Sequence, residues 1–231
     1  RGPAGTPSAG PQLVRGDAGA CRDQLERHEC SGGRGSRSPG NGPSLAHMSD
    51  LDIRNEPPLA GTEEEALLGA LERLRGYLLW KCGGLDDAGI RQTLGPSTLT
   101  LGGLLKHLAV VEAITFAWKL HGRRPFAPFG DADWDDPDWH FRVEDDDTPE
   151  SLEALFKESV AQGRALVAEA IAAGGLGGEA DVKDDAGRHA NVRRLVCDMI
   201  EEYGRHVGHA DLIRESVDGL VGEDPPPAAR G

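Results

Sequence analysis

The sequence predicts an all-α protein, a four-helix bundle. Three observations carry this. Four amphipathic stretches of about twenty residues or more follow one another. Each is bracketed by capping residues and glycines, and no stretch alternates as a strand would, apart from Phe141–Val143. The first helix is expected from Glu63 to Cys82. Thr62 with Glu65 makes a capping box, Gly83-Gly84 ends the helix, and Leu67, Leu71, Leu74 and Leu78 form its apolar row. The second is expected from Thr98 to His121, started by Ser97 or Thr98 and stopped by Gly122. The third runs from Pro149 to Ala173. Thr148 serves as N-cap, Pro149 sits at the first helical position, and Gly174-Gly175 closes the helix. The fourth runs from Asn191 to Val217, with Gly219 beyond it.

Residues 122–147 separate helices two and three as a long acidic loop with Trp134 and Trp139. A loop of that length in a compact domain is often functional, and this one is long enough to cross the bundle end. Residues 1–47 are rich in Gly, Pro, Ser and Arg and have almost no apolar periodicity, so they read as a disordered leader or an upstream segment. Met48 follows directly and reads as the natural start. The bundle domain is then expected over residues 48–223, with a disordered tail over 224–231.

Charge narrows the function classes. The 231-residue chain has a formal net charge of −14. Six Arg and four acidic residues fall within 1–47, which leaves 19 basic against 35 acidic groups in 48–231, a net of −16. A domain that acidic repels nucleic acid and anionic lipid over most of its surface, so neither is expected as a partner. No apolar run reaches the roughly 18 residues of a membrane span, and the N-terminus has no apolar core of a secretory signal. The expected compartment is the cytoplasm.

The chemistry concentrates on two helical rows. On helix four, Leu195, Met199, Glu202, His206, His209 and Ile213 recur three and four apart and so share one face. Its ends are apolar and its middle holds a carboxylate and two imidazoles. On helix two, His107 stands in the row Leu104, His107, Leu108, Val111, Ile114, Trp118. Buried polar groups need partners, and buried charges need pairing or a metal. Glu202 and His206 are spaced to bind one ion. His107 from a facing helix completes a His/Glu/His triad with coordination positions left open. The alternative is a hydrogen-bonded polar pocket without metal.

Other residues read plainly. Cys82 and Cys197 are expected as small core residues, and Cys21, His28 and Cys30 lack a fourth ligand. Asp131, Asp133, Asp135, Asp136 and Asp138 lack the Gly and Glu of a calcium loop and read as solvated. Trp134 and Trp139 are expected to anchor the loop on the bundle. Tyr203 points off the row and receives no role. Arg205 and Arg214 read as surface ion pairs, and His121, His140 and His189 as solvent-exposed.

The segments LLKHLAVVE (104–112), DPDWHF (137–142) and MIEEYGRHVGHADLIRE (199–215) resemble the DinB-like superfamily. Within it they resemble the actinobacterial branch related to mycothiol-dependent transferases and maleylpyruvate isomerases. The resemblance covers Met48 to Glu223. It implies an up-down-down-up bundle, commonly a homodimer. It also implies a divalent metal held by one His on helix two and two residues a turn apart on the last helix. Laid on this chain, those ligands are His107, Glu202 and His206, and Val207-Gly208-His209 stand where many members have Arg-Gly-Gln. Zinc is expected first, with nickel, iron or manganese as alternatives. The implied activity is transfer of a low-molecular-weight thiol, of the mycothiol type, to an electrophilic small molecule. His209 is read beside it as the catalytic residue that moves a proton, with direct metal binding as its rival role. A non-catalytic, metal-binding stress-response protein is the alternative. The sequence departs from the branch at Asp198, where a His one turn before Glu202 is usual. Asp198 is expected to accept a hydrogen bond from a ligand imidazole.

Overall fold

The computed structural model describes residues 56–132, 135–136 and 138–223. The expected leader (1–47), Met48, Trp134 and the expected tail (224–231) lie outside the described residues. Four long helices form the frame. Helix α1 spans Glu63–Cys82, started by the expected Thr62/Glu65 capping box. Helix α2 spans Leu101–Glu112 and runs on as a π-helix over Ala113–Lys119. Helix α3 spans Pro149–Gly174 and α4 spans Val192–Asp218. Asn191 caps the start of α4, and Gly219 closes it at φ 79°, a conformation that suits a residue without Cβ.

Ion pairs and packing fix the topology. At the start of α1, Glu63 meets Arg193 at the start of α4 (2.6 Å). At the end of α1, Lys81 meets Asp211 near the end of α4 (2.9 Å). So α1 and α4 run parallel. Arg75 of α1 reaches Glu112 of α2, while Cys82 at the end of α1 lies 3.6 Å from the Leu101 carbonyl at the start of α2. Those two helices are antiparallel. Gly102 packs against Leu152, and His121 bonds the Leu166 carbonyl (3.0 Å), so α2 and α3 run parallel. The order is up-down-down-up. Parallel neighbours need a connection that returns along the bundle, which is the physical reason the α2–α3 loop is long.

The core is one cluster that includes Leu71, Leu78, Leu104, Leu108, Phe116, Phe156, Val160, Met199 and Ile213. Each such side chain stabilises the fold by about 1.5–3 kcal/mol relative to exposure. Contrary to the sequence reading, one helix, Leu101–Lys119, is long and apolar enough by length and composition to cross a membrane, but 89% of it is buried inside the bundle. It is the central helix of the bundle.

Two local features depart from expectation. The N-cap of α2 is Thr100, whose side chain accepts from the Gly103 amide (3.0 Å), in place of Ser97 or Thr98. A Cβ on Gly103 would stand 2.3 Å from the Phe141 carbonyl oxygen, so only glycine lets the α2–α3 loop pass so close. Phe141–Val143 is no strand; Trp139–Phe141 forms a 3₁₀ turn there. A hairpin instead fills the α3–α4 connection, β1 (Glu179–Lys183) antiparallel to β2 (His189–Asn191). Asp184 builds its turn by accepting from the Ala186 and Arg188 amides, with Gly187 at φ 76°.

Candidate metal centre

Helices α2 and α4 bring His107, Glu202 and His206 together as the helical rows predict. His107 and His206 are buried, and the Glu202 side chain keeps 21% of its surface exposed. His107 Nε2 lies 3.0 Å from Glu202 Oε1, and His206 Nε2 lies 3.2 Å from the same oxygen. Ligand atoms of all three residues fall within 4.8 Å of one another. In a tetrahedral zinc site with bonds of about 2.0–2.1 Å, neighbouring ligand atoms stand roughly 3.3 Å apart. The two edges that meet at Glu202 match that spacing, and the donor types suit a divalent cation.

Electrostatics prepares the same state. Burial pushes the His107 imidazole down to about 4, against the pull of its Glu202 hydrogen bond, so it is neutral near pH 7. Hydrogen bonds from His107 and then His206 hold the Glu202 carboxyl far below the usual carboxylate range. A neutral imidazole and an ionised carboxylate are the forms that bind metal. The fixed cation beside Glu202 is Arg205, 3.4 Å from Oε2, with half its side chain in solvent.

His140 corrects the sequence reading. It is buried, not solvent-exposed, and its Nδ1 lies 2.9 Å from His107 Nδ1. Phe141 stacks on the His107 ring with centroids 4.1 Å apart. The close pass at Gly103 delivers both residues. Ligand imidazoles usually carry a partner on their second nitrogen, which fixes ring orientation and tautomer. His140 fills that position for His107, and His209 fills it for His206, with Nδ1 to Nδ1 at 3.3 Å. Half-buried, His209 has its imidazole lowered by burial and by the neighbouring His206 and Arg205. It stands outside the three-residue cluster, behind His206.

Further corrections concern the surroundings. Asp198 reaches no ligand imidazole; it pairs with Arg194 (2.7 Å). Cys82 is buried as expected, but Cys197 is exposed. Arg214 is buried, donating to the Lys81 and Gly83 carbonyls as well as to Asp218. Tyr203, assigned no role from sequence, is fully buried and donates its hydroxyl to Glu112 Oε1 (2.8 Å). Glu112 is also gripped by Arg75 through two bonds of 2.7 Å. Burial alone would lower the Arg75 guanidinium, but the Glu112 charge and hydrogen bonds prevail and keep it protonated. The signal was present in the sequence: a glutamate inside the apolar run LAVVEAITFAW demands a partner.

A family model for mycothiol-S-transferase matches residues 66–219, which includes all four helices almost in full. The chain belongs to the mycothiol-S-transferase family. No curated protein matches it. The match spans His107, His140, Glu202, His206 and His209, so every residue of the cluster lies within the matched segment.

Proposed function

We propose that the chain is a metal-dependent S-transferase that joins a mycothiol-type thiol to an electrophilic small molecule. The observation that carries this reading is the convergence of two buried imidazole nitrogens on one Glu202 oxygen, in a chain of this family. His107, Glu202 and His206 would hold the ion, zinc first, with nickel, iron or manganese acceptable to the same donors. When bound, a divalent cation favours the thiolate over the thiol, whose ordinary pKa near 8.5 leaves it mostly protonated at pH 7.

The chain's own groups do the rest. His140 and Phe141 hold the His107 ring in orientation and keep water from its face. Glu202 offsets part of a cation's charge and stays ionised. His209, half-exposed beside His206, would break its Nδ1 contact with that ring, accept on the freed nitrogen the proton that the thiol gives up, and pass it to solvent. The sulfur lone pair forms the new S–C bond, and the displaced group leaves with the bonding pair.

A second reading, a metal-binding protein without catalysis, draws support from Asp198, which is engaged with Arg194 where the family resemblance leads one to expect a histidine. Elemental mass spectrometry and bimane conjugation separate the two. The transferase reading expects near one metal per chain, lost in Glu202→Ala and His206→Ala, and mycothiol conjugation that stops on metal removal. Equal conjugation rates before and after verified metal removal would sink it; metal without thiol binding would establish the second reading.

A further inference from the structure

A concavity opens between the hairpin, the end of α2 and the start of α4. Its volume is about 560 Å³, and the hairpin forms one wall. Trp118, on the π-helical end of α2, and Arg194 and Asp198, on α4, line it together with Lys183, Asp184 and Arg188 from the hairpin. Asp198 stands four residues before Glu202, one helical turn away, a rise of about 6 Å. The pocket is therefore within reach of the metal cluster along one helix.

Its lining is polar and of mixed sign. Arg188 pairs with Asp184 (2.7 Å) and Arg194 pairs with Asp198 (2.7 Å). Both pairs are well exposed, so each contributes little to stability and is readily exchanged for ligand contacts. A ligand of strong net charge would meet like charge on one wall or the other. A neutral, hydroxyl-rich ligand meets none: each hydroxyl donates to an aspartate and accepts from an arginine or lysine. Trp118 adds an apolar floor, buried as it is.

We propose that this pocket takes the hydroxylated head of the thiol substrate, while the sulfur end extends along α4 to Glu202. The proposal rests on the transferase reading above and adds where the thiol's specificity is determined. It also accounts for the hairpin, which the four-helix frame does not require.

The test uses the full chain loaded with zinc and two thiols. One is mycothiol; the other is N-acetylcysteine, which has the sulfur but no hydroxylated head. Calorimetric Kd and the KM for bimane conjugation are measured for the native protein, for Arg188→Ala and for Lys183→Ala. Both substitutions are at exposed hairpin positions; Arg188→Ala removes the ion pair with Asp184 but keeps the two backbone amide bonds that build the turn. The expected result is a rise of about tenfold in Kd and KM for mycothiol, the worth of one lost charge-assisted hydrogen bond, with the same metal content and kcat. N-acetylcysteine values should not move. Unchanged mycothiol constants in both variants overturn the proposal and leave the transferase reading standing. An equal rise for both thiols overturns it as well, because the head would not be what the pocket reads. If the zinc-loaded native protein binds no mycothiol, both readings fall together.

Discussion

Two glutamates on facing helices differ in one respect that decides their roles. Glu112 is completely buried, and the chain supplies its cation: Arg75 grips both oxygens, and Tyr203 donates to one of them. The network extends outward through Glu72, which accepts from Arg75 and from Arg164. Gly163 is part of the arrangement, since a Cβ there would stand 2.5 Å from Glu112 Oε2. Glu202 is partly open and is surrounded by imidazoles; among the described residues no buried Arg or Lys pairs with it. The first carboxylate is internally neutralised and closed. The second is organised by hydrogen bonds but left short of positive charge. A bundle can thus carry a structural and a ligand-binding carboxylate side by side, distinguished by whether the compensating cation is encoded in the chain.

The largest way to break this contrast is Arg75→Met, which strands the Glu112 charge in the core. A loss of about 3–5 kcal/mol is expected in urea unfolding, the same with or without added zinc. Glu202→Ala should do the opposite. The metal-free protein should lose only about 1–3 kcal/mol, the cost of leaving two imidazoles without their acceptor, while the stabilisation by zinc disappears. At a thousandfold excess over Kd that stabilisation is about 4 kcal/mol, so the readout is a zinc-dependent Tm shift present in the native chain and absent in the variant.

Acid sharpens the comparison next. His107 has a native pKa of about 4, below its ordinary 6.5. Between those values the unfolded chain binds a proton that the folded chain refuses. Stability of the metal-free protein should therefore fall as pH drops from about 6.5 to about 4, by roughly 3 kcal/mol, and this contribution levels off below. Glu202, held down by its imidazole partners, adds a loss that begins below its ordinary 4.5. His107→Gln should flatten the upper part of the profile. The smallest effect belongs to Tyr203→Phe. It removes one donor to Glu112, leaves Arg75 in place, and should cost about 1 kcal/mol in urea unfolding with zinc stoichiometry unchanged.

Much of this was legible in the sequence because it is local. The capping box at Thr62/Glu65, Pro149 after Thr148, and Gly219 after α4 mark helix ends within a residue or two. His107, Glu202 and His206 were legible because ligands on helices obey the helical period. Cys197 was misread because it lies two residues from Leu195, about 200° around α4 and so away from the core row. His140 could not be read from periodicity: its burial depends on a loop approaching the backbone of α2 at Gly103, a tertiary contact. The hairpin escaped for a different reason. Glu179–Lys183 buries only Ala180 fully, so it lacks the alternation that announces a strand.

The π-helical stretch of α2 has a consequence for how this molecule tolerates change. A π-turn accommodates an additional residue within an otherwise α-helical course. Loss of one residue between Ala113 and Lys119 would let the chain close into ordinary α-helix. His107 and Glu112, upstream, would keep their bearings. Trp118 and Leu120, downstream, would keep nearly the same bearings too, because the wider turn already absorbs the extra residue. The stretch thus works as an expansion joint: it can take up or give back one residue without rotating the half that faces the metal cluster against the half that faces the hairpin.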